Sequence, residues 1–159
     1  MNFFGNKSIY DFYKVAFLCS QRCPSHLILK SYDWAIRQRN ECKCVISGFD
    51  SKIERDVLGF LLKGSQPVIM VLARNMKKRF PVEVRKAIDE KRLLIISPFS
   101  EKVSRKSMLS CYKRNEKILL LADEIVIGYA HPGGLLDKML PKIKNKGIKY
   151  LEDIELNNS

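Results

Sequence analysis

The chain has 159 residues, of which 46% are hydrophobic and 29% are charged. This length fits one compact domain, and the composition excludes an intrinsically disordered chain. The 29 lysines and arginines outnumber the 17 aspartates and glutamates, and the formal net charge of +12 favours an anionic partner. No apolar run approaches the roughly 18 residues needed to cross a bilayer, so no membrane span is predicted.

Short apolar runs alternate with helical patterns along the chain. In chain order, the predicted elements are strand Lys14–Ser20, helix Ser25–Asn40, strand Lys43–Gly48, helix Ser51–Lys63, strand Pro67–Ala73, helix Pro81–Glu90, strand Leu93–Ser97, helix Ser104–Leu121, strand Glu124–Tyr129, helix Leu135–Asn145 and strand Ile148–Tyr150. Strands that are apolar on both faces and separated by helices imply a parallel sheet covered on both sides.

The predicted fold class is therefore α/β. We expect a doubly wound, Rossmann-like, mostly parallel sheet of five to six strands with helices on both faces. Residues 12–154 are predicted to form this single domain, with 1–11 as an N-terminal extension and 155–159 as a polar tail.

The five cysteines form no regular framework. Cys42 and Cys44 would point to opposite faces of a strand. Cys19 and Cys23 could in principle join them around zinc, but zinc-binding cysteines usually come as C-x2-C pairs. We therefore predict no metal site and a reduced, cytoplasmic protein.

In an open parallel sheet, ligands bind beyond the carboxyl ends of the strands. Small hydroxyl residues, glycines and arginines follow several of these strand ends, as an anion site requires. The candidate residues for binding nucleic acid or phosphate are Ser20, Gln21, Arg22, Ser25, Ser47, Gly48, Phe49, Arg74, Ser97, Lys113, Arg114, Asn115, Gly133 and Gly134. The serines and glycines among them fit helix caps and turns equally well.

The positive charge is unevenly distributed. Between Arg74 and Lys117 there are fourteen Lys and Arg residues against five Asp and Glu residues. A solvated basic face would explain such a run, but its position near the predicted ligand edge favours a polyanion. Aromatic side chains able to stack on bases occur in the same half of the chain: Phe80, Phe99, Tyr112 and Tyr129.

Signatures of catalysis and of cofactor binding are sparse. Neither G-x-G-x-x-G nor G-x-x-x-x-G-K-[ST] occurs, so the dinucleotide fingerprint and the P-loop are both absent. His26 and His131 are the only histidines, and no nucleophile or carboxylate pair is spaced to work with them. We predict no cofactor and no catalytic residue, which favours a binding protein over an enzyme.

Five segments, taken in order, share the pattern of one known family. They are VAFLCSQRCPS (Val15–Ser25), VISGFDSKIE (Val45–Glu54), PVIMVLAR (67–74), ISPFSE (Ile96–Glu101) and KRNEKILLLADEIVIGYA (Lys113–Ala130). Over about Lys14–Leu140 the chain resembles the Rossmann-like core of the DNA-processing protein family (DprA/Smf). The resemblance implies a domain that binds single-stranded DNA, and in that family the protein also loads a recombinase during DNA uptake.

Several loops depart from the family's pattern. Cys19 replaces a glycine of the first loop, Ser51 and Lys52 stand where the family has Arg-Gly, and His131–Gly134 replaces the last glycine-rich loop. The family's flanking helical and winged-helix domains have no counterpart in these residues. The resemblance therefore implies a divergent, stand-alone member, and these departures weigh against a recombinase partner.

The turn Pro132–Gly133–Gly134 also resembles the P-G-G-x-G-T loop of the lysine-decarboxylase-like (LOG) hydrolases, although Leu135–Asp137 follows it. The alternative function is therefore a nucleotide-binding sensor or a LOG-like nucleoside monophosphate phosphoribohydrolase. The predicted partner is single-stranded DNA or a nucleotide, no membrane partner is predicted, and a homodimer is left open.

Overall fold

A computed structural model describes residues 1–143 and 146–156 of the chain. Its strands are β1 (Asn2–Gly5), β2 (Lys14–Cys19), β3 (Cys44–Ser47), β4 (Val68–Val71), β5 (Leu93–Ser97), β6 (Glu124–Tyr129) and β7 (Ile148–Tyr150). Its α-helices are α1 (Ser25–Asn40), α2 (Lys52–Leu62), α3 (Val82–Asp89), α4 (Met108–Leu121) and α5 (Leu135–Met139). Among the described residues, no helix is long and apolar enough to cross a membrane.

The strands form one sheet in the order β1-β5-β4-β3-β2-β6-β7. Every neighbouring pair is parallel except β1 and β5, which run antiparallel. From β2 the chain winds outward through β3, β4 and β5, and then returns to place β6 on the other side of β2. The order of the strands therefore reverses between β2 and β6, where a doubly wound sheet offers a ligand crevice.

Both faces of the sheet are covered, as strands that are apolar on both sides require. Helices α1, α2 and α3 pack on one face, with Trp34, Val57 and Val84 in that core. Helices α4 and α5 pack on the other face, where Ile118 and Leu136 are buried. This arrangement confirms the predicted doubly wound α/β fold.

The structure corrects the prediction at three places. The sheet has a further strand because residues 2–5, within the predicted extension, pair with the edge of β5. Helix α4 begins at Met108 rather than at Ser104, since Ser107 caps it and exchanges hydrogen bonds with Ser110. Helix α5 ends at Met139, and a 3-10 turn follows at Leu140–Lys142. The predicted end of this helix at Asn145 lies outside the described residues. Residues 157–159 of the predicted tail also lie outside them.

Candidate nucleic-acid interface

Two cavities open along the carboxyl edge of the parallel strands. The switch cavity, about 360 Å³ in volume, lies between the loops that follow β2 and β6 and includes the start of α2. The outer cavity, about 410 Å³ in volume, lies over the loops that follow β3 and β4. Asp50, Lys106 and Arg114 line both cavities, so these three side chains form the partition between them.

The partition is a network of charged hydrogen bonds. The buried Arg114 side chain donates from Nε to Asn115 Oδ1 at 2.8 Å and from Nη2 to Asp50 Oδ2 at 3.4 Å. Lys106 Nζ donates to Asp50 Oδ1 at 2.8 Å. Burial by itself would raise the pKa of Asp50, but Lys106 and Arg114 outweigh it and lower the pKa below its ordinary value. Asp50 is therefore a carboxylate that joins α4 and the β5–α4 loop to the β3–α2 loop.

The turn after β3 is shaped to receive Arg114. A Cβ atom on Gly48 would lie 2.5 Å from Arg114 Nη1, so only glycine lets the guanidinium pack on the backbone here. Phe49 adopts a left-handed conformation with φ of 48°, and its N–H donates to Ser47 Oγ at 3.1 Å. Ser47 is fully buried and its hydroxyl belongs to this turn.

Glu54 fastens the end of β2 to the start of α2. Its Oε1 accepts hydrogen bonds from the backbone N–H groups of Asp50 and Ser51 at 2.9 and 3.2 Å. Its Oε2 accepts one from the N–H of Cys19 at 3.0 Å. Burial raises the pKa of Glu54, although these N–H groups and Arg114 oppose the shift. The S-x-x-E capping box formed by Ser51 and Glu54 is the sequence signal for this site residue.

The loops after β2 and β6 meet at the switch cavity. Ser20 Oγ accepts a hydrogen bond from the N–H of His131 at 2.9 Å, and Gln21 Oε1 accepts one from the N–H of Lys52 at 3.2 Å. Gly133 donates its N–H to Asp137 Oδ2 at 2.9 Å. The amide of Gly133 is thus bonded to a carboxylate of this chain, whereas Gly134 lines the cavity.

Nine of the fourteen candidate residues line one of the two cavities: Ser20, Gln21, Arg22, Gly48, Phe49, Arg74, Arg114, Asn115 and Gly134. The other five do not: Ser25, Ser47, Ser97, Lys113 and Gly133. Ser97 is buried and donates its hydroxyl to Arg74 O at 2.6 Å, which fixes the loop after β4. The cavity-lining residues absent from the candidates include Asp50, Glu54, Lys106 and Cys111.

Two exposed loops carry most of the positive charge at this edge. Residues 74–81 and 98–107, which we call the basic loops, contain seven Lys and Arg residues and one acidic residue. Asn75 connects them, because its N–H donates to Val103 O at 2.7 Å and its Nδ2 to Glu101 O at 3.2 Å. The basic loops therefore form one continuous surface beside the outer cavity.

No family model and no curated protein matches the chain. Among solved structures, it is similar to DNA processing protein A (DprA) from Streptococcus pneumoniae, with a TM-score of 0.70 and 16% identity over 92% of this chain and 53% of that one. It is also similar to DprA from Helicobacter pylori, studied for its single-stranded DNA binding mode, with a TM-score of 0.67 and 20% identity over 84% of this chain and 62% of that one. A molybdenum cofactor binding protein from Rippkaea orientalis has a TM-score of 0.57 and 10% identity over 87% of this chain and 76% of that one.

The chain spans 53% and 62% of the two DprA chains that it matches. The identities of 16% and 20% are low, and what the two chains share with this one is the path of the backbone. The chain therefore has the Rossmann-like fold of DNA processing protein A.

Proposed function

We propose that this chain binds single-stranded DNA along the carboxyl edge of its sheet. The observation that carries the proposal is the joining of the two basic loops into one surface beside the cavities, with seven cationic residues against one acidic residue. Such a surface attracts a polyanion by releasing the counterions condensed on its phosphates. The similarity of the fold to the H. pylori DprA that binds single-stranded DNA supports a single strand as the partner.

In this proposal the strand follows the carboxyl edge from the switch cavity to the basic loops. Neighbouring strands of a sheet lie about 4.8 Å apart, so the edge from β6 to β5 measures about 19 Å and accommodates several nucleotides. In this proposal phosphates contact Arg22 at the switch cavity, Arg74 and Lys77 at the outer cavity, and the exposed Lys78 beside them. Arg114 is buried and bonded to Asp50 and Asn115, so we assign it to positioning the loops rather than to holding a phosphate.

The switch cavity favours a second candidate, a small nucleotide. Its volume of about 360 Å³ lies within the range of small-molecule sites, roughly 300–1,000 Å³, and it occupies the crevice where doubly wound sheets bind ligands. A nucleotide sensor would need this cavity and, apart from Lys106 in its lining, would not need the basic loops. The hydrolase form of this candidate is tested by incubating the protein with nucleoside monophosphates and analysing the mixture for released base by chromatography.

Fluorescence anisotropy with a labelled single-stranded oligonucleotide tests the proposal. The double variant Lys77→Ala/Lys78→Ala should bind more weakly, and its slope of log affinity against log salt should fall by about 1.4, or about 0.7 for each phosphate that a lysine no longer neutralises. The matched control is Lys43→Ala/Lys63→Ala, which removes the same charge from exposed residues at the opposite edge of the sheet. The control should keep the wild-type slope.

Two results would overturn the proposal. The first is the absence of binding by wild-type protein at micromolar concentration and low salt. The second is an equal loss of slope in the two double variants, because attraction by net charge alone does not depend on which edge loses its lysines.

A further inference from the structure

We infer that the outer cavity is a subsite for one base of the bound strand, with the ring of Phe80 as its stacking surface. This inference rests on the proposed function and adds to it a chemical class of occupant for one particular cavity. The cavity has apolar walls that include Met70, Leu72 and Val84, and Phe80 lies among them. Its volume of about 410 Å³ falls within the range of small-molecule sites.

The charged residues around these apolar walls favour a base that carries a phosphate. Three cationic side chains line the cavity outside the Asp50 network: Arg55, Arg74 and Lys77. The one carboxylate of the lining, Asp50, is already paired with Lys106 and Arg114. An apolar ligand without negative charge gains nothing from such a rim, whereas a nucleotide unit has a flat ring for the walls and a phosphate for the cations.

Phe80 is held in place by the first strand. Its ring stacks on that of Phe4, with centroids 5.9 Å apart and an angle of 14° between the ring planes. Phe4 pairs with Ile95 in β5, on the sheet face that α1, α2 and α3 cover, and it does not line the cavity. Phe3, the preceding residue, packs against Tyr10 on the opposite face with centroids 5.7 Å apart. Strand β1 therefore supports Phe80 from outside the cavity, because Phe4 contacts Phe80 and does not itself line the cavity.

This arrangement predicts recognition of a base without preference for its sequence. Every base has a π-face, so an aromatic wall accepts all of them, and each stacked base contributes to affinity independently of its hydrogen-bonding edge. A strand that has phosphates and sugars but lacks bases keeps the electrostatic attraction and loses the stacking. The two contributions are therefore separable by experiment.

The experiment compares the affinities of a normal single-stranded oligonucleotide and an abasic one of the same length and charge. Wild-type protein should bind the normal strand at least about fivefold more tightly, since one base stacked on an aromatic side chain contributes at least this factor. Phe80→Leu should reduce this ratio by about the same factor while keeping the salt dependence of binding. Phe4→Leu should reduce the ratio in part, whereas the matched control Phe3→Leu should leave it unchanged.

The outcomes separate this inference from the proposed function. Equal affinity of wild-type protein for the two strands, with strong salt dependence, overturns the base subsite and leaves the proposed function standing. Absence of binding to either strand overturns both. A ratio unchanged by Phe80→Leu also overturns the subsite. If Phe80→Leu does not fold, Phe80→Trp retains an aromatic wall: its fluorescence should change with the normal strand only, and an equal change with the abasic strand contradicts the subsite.

Discussion

At the scale of single residues, the contact between Gly48 and Arg114 should decide the stability of the candidate interface. Gly48→Ala places a Cβ atom 2.5 Å from Arg114 Nη1, and Arg114 cannot move without breaking its bonds to Asp50 and Asn115. We expect Gly48→Ala to lower the free energy of unfolding by about 1–3 kcal/mol, the usual cost of overpacking. Arg114→Ala should lower it by about 2 kcal/mol, because the charged hydrogen bonds of the guanidinium are removed.

A double-mutant cycle measured by urea unfolding tests this contact. Once Arg114→Ala has removed the guanidinium, adding Gly48→Ala should cost less than about 0.5 kcal/mol, so the two changes should be coupled by at least about 0.5 kcal/mol. Lys113→Ala is the control on the same helix, because Lys113 is exposed and its removal should change stability by no more than about 0.5 kcal/mol. Strictly additive effects would contradict the contact.

The burial of Arg114 is a feature that the sequence does not predict. The sequence indicates which residues follow the strands, and seven of the nine candidates that line the cavities do so. The other two, Arg114 and Asn115, lie in α4. It does not indicate that Arg114 is buried while its neighbour Lys113 is exposed. The burial of Arg114 depends on Gly48 and Asp50, which lie more than sixty positions away in the chain and meet it only in the folded protein.

At the scale of elements, strand β1 should depend on Gly5. This residue has φ of 102°, and a Cβ atom on it would lie 2.3 Å from the carbonyl oxygen of Leu93 in β5. We expect Gly5→Ala to detach β1, to lower the free energy of unfolding by about 1–3 kcal/mol and to speed proteolysis within residues 1–11. Gly147→Ala is the matched control, since no atom lies within 4 Å of the added methyl group. Equal proteolysis rates in the two variants would contradict this role of Gly5.

The elements predicted most accurately are those whose signal is local. Strands buried on both faces appear as continuous apolar runs, and β5 and β6 have their predicted bounds. Strand β1 gives a weaker signal, because it has four residues and only Phe3 and Phe4 are apolar. Its position depends on pairing with β5, some ninety residues away, and a single-sequence pattern does not contain that contact.

At the scale of the whole molecule, the winding of the sheet brings distant loops to one edge. The carboxyl ends of β2, β3, β4, β5 and β6 all open on the same side, because these strands are parallel. The predicted alternation of strands and helices was sufficient to establish this edge. The two cavities share three lining residues, Asp50, Lys106 and Arg114, because α4 packs across the sheet between them. The alternation of strands and helices does not predict this packing.

This spread of contacts predicts how the whole protein should respond to ligands of different length. The two cavities and the basic loops lie along an edge about 19 Å long, so a single nucleotide reaches one part of it and an oligonucleotide reaches all of it. An oligonucleotide at one hundred times its dissociation constant stabilises the fold by about 2.7 kcal/mol. For a chain of this size, that should raise the melting temperature by about 5–10 °C. Nucleoside monophosphates at the same total nucleotide concentration should raise it by less than about 2 °C.

Added salt should reduce the effect of the oligonucleotide, because its affinity depends on counterion release. Thermal unfolding followed by circular dichroism measures these shifts. An equal shift with a nucleoside monophosphate would contradict binding along the whole edge, since one nucleotide-sized cavity would then account for all of the stabilisation.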